Sequence, residues 1–372
     1  MKLQVLQENF SKALSLASRF ASTKAQLPVL ENILLSTEKT KLLVSATNLE
    51  TSVSISVGAK IEKEGKITIP AKTISDLVSN LNSETLSLFS EKEQLQIASS
   101  GFKSSISGMN ASDFPSIPAK IDTNSLKIPT EDFLSSLSKV IYAASTDETR
   151  PVLTGILFLF EEGRITLVAT DGFRLSQSNL KIKGKVKQKR LILPRLSLSE
   201  LARFSKQYEN LSLYYSEEDS QVVFGFPDVV FSSRVLEGEF PDFEKIIPKS
   251  SKIKVETDKE DVLKAVKLAA VFARDSANIV KLSIDKNGIL VSAESARSGN
   301  QETKVDAKVE SQETLKNVFE ISFNYRFIED FLNAVQGESV TFEFSETTAP
   351  GVFLDSKDKT FLHLIMPVRI QS

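Results

Sequence analysis

The chain of 372 residues is long for one hydrophobic core, and at roughly 100–200 residues per domain it predicts two or three domains. Its 41% hydrophobic and 25% charged residues are ordinary for a globular protein, and the lack of cysteine excludes disulfides, zinc thiolates and thiol nucleophiles. A net charge of −2 excludes a domain that holds nucleic acid by bulk positive charge, so any hold on DNA must come from a local basic surface or from topology. No apolar run approaches the roughly 20 residues that span a bilayer. Residues 1–8 carry one Lys and no apolar signal segment. A cytoplasmic location and no membrane partner are therefore expected.

A strand is predicted at residues 2–5, followed by an amphipathic helix with Phe10, Leu14, Ala17 and Phe20 at helical spacing. Residues 42–44 and 53–57 alternate as strands. Residues 66–70 form a strand ahead of a helix at 74–81. The pattern restarts at 126–128, with a helix carrying Phe133, Leu137, Val140 and Ile141 and a cap in Thr130-Glu131-Asp132. There the strand 191–194 precedes a helix at 198–204. It restarts again at 253–255, with a cap in Thr257-Asp258 and a helix carrying Val262, Val266, Ala269 and Ala270. Strands follow at 280–284 and 288–293, and the strand 319–323 precedes a helix at 327–335.

These restarts are an internal repeat. Leu27-Pro28-Val29-Leu30-Glu31-Asn32-Ile33-Leu34 is matched by Arg150-Pro151-Val152-Leu153-Thr154-Gly155-Ile156-Leu157. Val44-Ser45-Ala46-Thr47-Asn48 is matched by Val168-Ala169-Thr170-Asp171-Gly172 at nearly the same offset. Ile67–Pro70 answers to Leu191–Pro194, and Asp113-Phe114-Pro115 to Glu239-Phe240-Pro241-Asp242. The last third is more diverged but keeps the order. The expected fold class is α+β: three tandem domains at 1–122, 126–248 and 253–372, each made of two strand–helix–strands units with antiparallel sheets and helices on one face.

Little in the residues suggests catalysis. His363 is the single histidine, in an alternating segment that reads as a strand-surface position. There is no nucleophile elbow, phosphate loop or dinucleotide fingerprint. The carboxylates Asp147-Glu148, Glu217-Glu218-Asp219 and Glu260-Asp261 fall at turns or helix starts, where solvated acids are normal. A hydrolase on a repeated α+β frame, and a non-DNA repeat scaffold such as an adhesion protein, are the alternatives. The scarcity of catalytic side chains weighs against the first and the missing secretory signal against the second.

The three equal repeats resemble the bacterial β sliding clamp family, subunit beta of DNA polymerase III. Ala169-Thr170-Asp171-Gly172-Phe173-Arg174-Leu175 looks like the family's Ala-Thr-Asp-Gly-His-Arg-Leu segment, and Phe240-Pro241-Asp242-Phe243 like its Phe-Pro-Asp-Tyr. Met366-Pro367-Val368-Arg369-Ile370 resembles the terminal Met-Pro-Met-Arg-Leu, and Leu27-Pro28-Val29-Leu30 the first-domain Leu-Pro-Ile-Leu. The resemblance implies a non-catalytic processivity factor without cofactor or metal. Two chains would close head to tail as a homodimer ring around duplex DNA, the first domain of one meeting the third of the other, and tether the replicative polymerase. Implied partners are double-stranded DNA held without sequence preference, the polymerase III alpha subunit, the clamp loader, other DNA polymerases and repair proteins.

Three sets of residues follow from the resemblance. DNA-facing candidates are Lys12, Arg19, Lys72, Lys139, Arg195, Arg203, Lys206, Lys264, Lys267 and Arg326 on helices, with Lys24 and Arg150 on loops. A pocket for short Gln- and apolar-anchored motifs carries over to Leu153, Thr170, Gly172, Phe173, Arg174, Leu175, Pro241, Ile246, Leu364, Met366, Pro367, Val368 and Arg369, flanked by Lys245, Asn324 and Phe327. A Met wall and apolar anchors suit such a pocket. Phe173 stands where the family has His, Lys245 where Arg is frequent and Val368 where Met is usual, which bears on motif preference. Gln371 and Ser372 extend past the usual terminus. For the dimer interface, Val271 and Phe272 match an apolar pair of the third-domain helix, and Ser104 and Ile106 are expected to face them.

Overall fold

The fold is described from a computed structural model, covering residues 1–22, 27–184, 186–311 and 317–369; Lys24, Gln371 and Ser372 lie outside the described residues. The first third runs β1 (Lys2–Leu6), α1 (Gln7–Ala17), β2 (Asn32–Glu38), β3 (Lys41–Thr47), β4 (Thr51–Lys63), β5 (Lys66–Pro70), α2 (Ala71–Ser79), β6 (Thr85–Glu91), β7 (Gln94–Ser99) and β8 (Phe102–Ser107). The second runs β9 (Leu126–Pro129), α3 (Thr130–Ser138), β10 (Gly155–Glu161), β11 (Arg164–Thr170), β12 (Arg174–Lys181), β13 (Lys189–Pro194), α4 (Arg195–Ser205), β14 (Asn210–Ser216), β15 (Gln221–Gly225) and β16 (Val229–Arg234). The third runs β17 (Ile253–Asp258), α5 (Lys259–Ala273), β18 (Ile279–Asp285), β19 (Gly288–Ser295), β20 (Gly299–Ser311), β21 (Phe319–Asn324), α6 (Tyr325–Ala334), β22 (Ser339–Phe344), β23 (Gly351–Asp355) and β24 (Phe361–Ile365). Each third therefore repeats the same order of eight strands and two helices among the described residues.

The repeats are not the compact units. One unit holds residues 1–131 and 196–235, the other residues 132–195 and 236–372, so the middle repeat is divided between them. The reason lies in the sheets. In the first unit β8-β7-β6-β1-β4-β16-β15-β14-β9 form one antiparallel path, with β3, β2 and β5 branching from β4. In the second the path is β13-β10-β11-β12-β24-β23-β22-β17-β20-β19-β18-β21. Repeats are thus joined edge to edge: the last strand of one pairs with the fourth strand of the repeat before it, as β16 with β4 and β24 with β12.

Local patterning explains the elements. Along β17, Ile253, Val255 and Thr257 are buried and Lys254, Glu256 and Asp258 exposed, the period of two that a half-buried strand requires. α5 buries Val262, Val266, Ala269, Ala270 and Ala273 on one stripe. It starts at Asp258, whose side chain accepts from the amides of Glu260 and Asp261 at 2.8 and 3.1 Å. α6 is capped in the same way by Asn324, which accepts from the Arg326 amide at 3.0 Å. The expected Thr130 cap does not form: its hydroxyl is buried without a partner inside the first turn of α3. Aromatic rings fill the third repeat, with Phe331 5.7 Å from Phe353 and 5.6 Å from Phe361. No helix among the described residues is long and apolar enough to cross a membrane.

Candidate functional site

The second unit contains a tight turn between β11 and β12. Thr170 Oγ1 accepts from the Gly172 amide at 3.1 Å and donates to the Arg174 carbonyl at 2.6 Å. Asp171 Oδ1 accepts from the amides of Phe173 and Arg174 at 2.9 and 3.0 Å. Gly172 sits at φ 94°, in the left-handed region that a side chain disfavours. The first repeat builds the same turn: Leu49 donates its amide to Thr47 Oγ1 at 3.0 Å, and Asn48 accepts from Glu50 and Thr51 at 3.0 and 2.8 Å. There Leu49 takes the position of Gly172, at φ 76°.

The turn aims Arg174. Its Nε donates to Asp171 at 3.0 Å, Nη1 to Asp330 of α6 at 2.5 Å, and Nη2 to the Tyr142 carbonyl at 2.6 Å. The guanidinium also lies over the Phe327 ring at 4.5 Å and the Tyr142 ring at 5.4 Å. The same arginine that lines the pocket therefore ties the β11–β12 turn to α6.

Beside it lies a cavity of about 220 Å³, with Leu153, Thr170, Gly172, Arg174, Leu175, Pro241, Asp242, Phe243, Ile246, Pro350, Leu364 and Met366 around it. Leu175, Leu364 and Phe243 are buried and form its floor, while Ile246 and Met366 are exposed apolar side chains. Nine of the expected pocket residues thus come together: Leu153, Thr170, Gly172, Arg174, Leu175, Pro241, Ile246, Leu364 and Met366. Asp242, Phe243 and Pro350 were not expected. The first two stand in the Phe-Pro-Asp-Phe motif, whereas Pro350, in the loop before β23, gave no signal.

The remaining expected residues stand around the cavity or away from it. Phe173 is 62% exposed and outside the lining, its carbonyl accepting from the Met366 amide at 2.8 Å. Val368 donates its amide to Ser322 at 2.8 Å, which fixes the course of Pro367, Val368 and Arg369 past β21. Lys245 is exposed and paired with Asp242 at 2.7 Å. Asn324 is occupied as the α6 cap, and Phe327 lies under Arg174.

His363 corrects the surface reading. It is fully buried in β24, with Ser176 Oγ at 2.6 Å and the Tyr142 hydroxyl at 3.3 Å from Nδ1, and Phe331 stacked at 5.6 Å. Burial, and then the positive Arg174, push its pKa down to about 3, so the ring is neutral. Burial likewise pushes the Tyr142 phenol up.

Among the basic candidates, Lys139 is a further correction: it is buried, past the end of α3, with its ammonium 2.5 Å from Asp358. An apolar surround admits such a charge only when it is paired. Arg19 and Lys206 lie in turns just past α1 and α4 rather than on those helices. Lys12, Arg19, Lys72, Arg203, Lys206, Lys264, Lys267 and Arg326 are all exposed to solvent. Lys12 pairs with Glu8 at 2.8 Å, and Arg203 and Arg19 with Glu200 at 3.1 and 3.8 Å. Arg195 is half-buried, and Arg150 is held by Asp147 at 2.9 Å near the β11–β12 turn. At the expected interface, Val271 is exposed and Phe272 half-buried against the third-repeat core. Ile106 is 7% exposed because β8 turns it inward; Ser104 shares that face and is half-buried.

Family models for the DNA polymerase III beta subunit match the chain in order: the N-terminal domain over residues 1–118, the central domain over 127–242 and the C-terminal domain over 244–369. The Beta sliding clamp of Staphylococcus aureus (strain Mu50) is 27% identical, with 99% of each chain covered. The crystal structure of the DNA polymerase III beta subunit from Thermotoga maritima covers 100% of both chains at a TM-score of 0.89 and 26% identity. The DNA polymerase sliding clamp from Bacillus subtilis covers 100% of both at a TM-score of 0.94 and 24% identity, a likeness of fold.

Proposed function

Since the chain belongs to the DNA polymerase III beta subunit family, the sliding clamps that make DNA polymerase processive without catalysis of their own, we propose that it acts as a head-to-tail homodimer ring that encircles duplex DNA. The hydrolase and adhesion alternatives fall with that membership.

The observation that carries the ring is a pair of open strand edges. β8 ends its sheet, and residues 299–306 of β20 are paired only with β19 among the described residues. These are the last strand of the first repeat and the fourth strand of the third. They are the same two strand types that join the repeats within the chain. A heterologous pairing of this kind closes when two copies supply six domains. Leu268, Val271 and Phe272 at the end of α5 supply apolar surface at that edge, Phe272 lying beside Gly299 where β20 begins.

The exposed basic side chains act as a set on the DNA phosphates. Several are already paired with a carboxylate, and such weak, sequence-independent contacts suit a ring that slides and is retained by topology. This also reconciles DNA binding with a net charge of −2. The cavity beside Arg174 takes the apolar anchors of short Gln-containing motifs from the polymerase alpha subunit, the clamp loader, other polymerases and repair proteins. Its buried floor and Met366 rim support that reading, because an enclosed apolar site desolvates a Leu or Phe anchor. Light scattering on a sizing column at micromolar concentration tests the stoichiometry. A mass near twice 41.1 kDa is expected, and a stable monomer would overturn the ring.

A further inference from the structure

Residue pairing runs continuously through each sheet, so equivalent positions in the repeats follow from register alone. From Leu3 the register passes to Leu88, Ile97 and Ser104. From Leu126 it passes to Leu213, Phe224 and Phe231. From Val255 it passes to Phe342, Phe353 and His363. Ser104, Phe231 and His363 therefore hold one position in the last strand of each repeat. Phe231 faces Val53 of β4, and His363 faces Ser176 of β12. The matching place in β20 is Gln301: Leu3 faces Ile61, eight residues beyond Val53, and Val255 faces Val309, eight residues beyond Gln301.

Resting on the ring reading above, we propose that β8 of one copy pairs with β20 of a second copy in this same register, so that the Ser104 hydroxyl donates to the side-chain carbonyl of Gln301. Both groups are waiting for a partner. Gln301 Oε1 is enclosed and accepts no hydrogen bond among the described residues, while its Nε2 donates to Thr303 Oγ1. The Ser104 hydroxyl makes no side-chain hydrogen bond among the described residues. An enclosed acceptor left unpaired is costly, and a partner group delivered by a second chain removes that cost.

The three junctions then differ at their centres. Val53 and Phe231 form an apolar centre, extended by Phe20, 5.5 Å from Phe231. Ser176 and His363 form a hydrogen-bonded one. The junction between copies carries the polar couple Ser104–Gln301, flanked by Ile106 and Phe272. This polar couple sets register, because a slip of two residues puts Gln301 opposite Ile106 or Phe102 and leaves its enclosed carbonyl without a partner.

The chain has no cysteine, so an engineered pair supplies the only thiols. In Ser104→Cys with Gln301→Cys, mild oxidation is expected to give a covalent dimer, since directly opposed residues of antiparallel strands come within disulfide reach. Ser104→Cys with Thr303→Cys, and either single variant, are expected to stay uncrosslinked. Preferential crosslinking of 104 with 303 would overturn the register. A wild-type dimer in which the 104/301 pair does not crosslink would overturn this strand pairing. A wild-type monomer would instead count against the ring reading itself. Gln301→Ala and Ser104→Ala are each expected to speed subunit exchange, the double variant no more than either single one; independent, additive effects would overturn the hydrogen bond.

Discussion

Arg174 and Asp330 stand 156 positions apart in sequence and meet at 2.5 Å, the guanidinium of β12 reaching the carboxylate of α6. The pocket arginine therefore has a structural duty, and the pocket is best probed elsewhere. Arg174→Met strands Asp171 and Asp330 and is expected to lower stability by roughly 2–3 kcal/mol, read by urea denaturation. Met366→Ala, at a side chain 39% exposed, is expected to leave stability within about 0.5 kcal/mol. Its effect should appear as a drop of about tenfold or more in affinity for a polymerase tail peptide, read by fluorescence polarisation. Unchanged affinity would remove Met366 from the site.

His363 links the second unit to acid. With its folded pKa at about 3 and the ordinary unfolded value near 6.5, the unfolded chain takes up a proton as pH falls through 6.5 while the folded chain does not. Stability therefore declines from about pH 6.5 down to about pH 3. As the only histidine, its ring gives one resolvable NMR signal, expected to stay constant between pH 5 and 8. A titration midpoint in that interval would contradict its burial.

Leu49 takes the left-handed backbone that Gly172 takes in the equivalent turn, at φ 76° and 94°. Leu49→Gly relieves the side-chain strain while losing little burial, because Leu49 is exposed. A gain of about 0.5 kcal/mol is expected by thermal denaturation; a decrease would show that the Leu49 side chain contributes packing that outweighs the strain.

Lys139 and the pair Lys264, Lys267 separate structure from DNA binding. Lys139→Met leaves Asp358 without its partner and is expected to cost stability, with DNA affinity unchanged. Lys264→Glu with Lys267→Glu, on the exposed face of α5, is expected to leave stability alone and to lower the salt dependence of DNA binding by about one for each phosphate no longer neutralised. An unaltered salt slope would take α5 off the DNA-facing surface.

Phe272→Asp places a charge in the apolar surface beside the β20 edge. A weakening of about 3 kcal/mol, roughly a hundredfold in dimer affinity, is expected by light scattering across a dilution series. A dimer that persists at the wild-type concentrations would move the interface away from α5.

Much of the fold was legible because repetition constrains it. The Pro-Val-Leu segments, the restarted strand–helix pattern and the Asp258 cap all lie in stretches whose local chemistry agrees with their tertiary role. What stayed hidden depends on partners distant in sequence. His363 alternates like a surface strand residue, yet β12 pairs with its strand and Tyr142 covers it. Lys139 looks like a solvated lysine until the Asp358 loop encloses it. Pro350 joins the cavity from a loop with no pattern of its own. The division of the middle repeat between two compact units was equally invisible, because it follows from cross-repeat pairing of β4 with β16 and β12 with β24.

The most direct test of a clamp is retention by topology. The protein is loaded onto nicked circular duplex DNA by a bacterial clamp loader and ATP, passed through a sizing column in high salt, and assayed again after a restriction enzyme has linearised the circle. The account predicts that the protein travels with the circle through high salt and is released when the circle is cut. Equal release from circular and linear DNA, or equal retention on both, would contradict it.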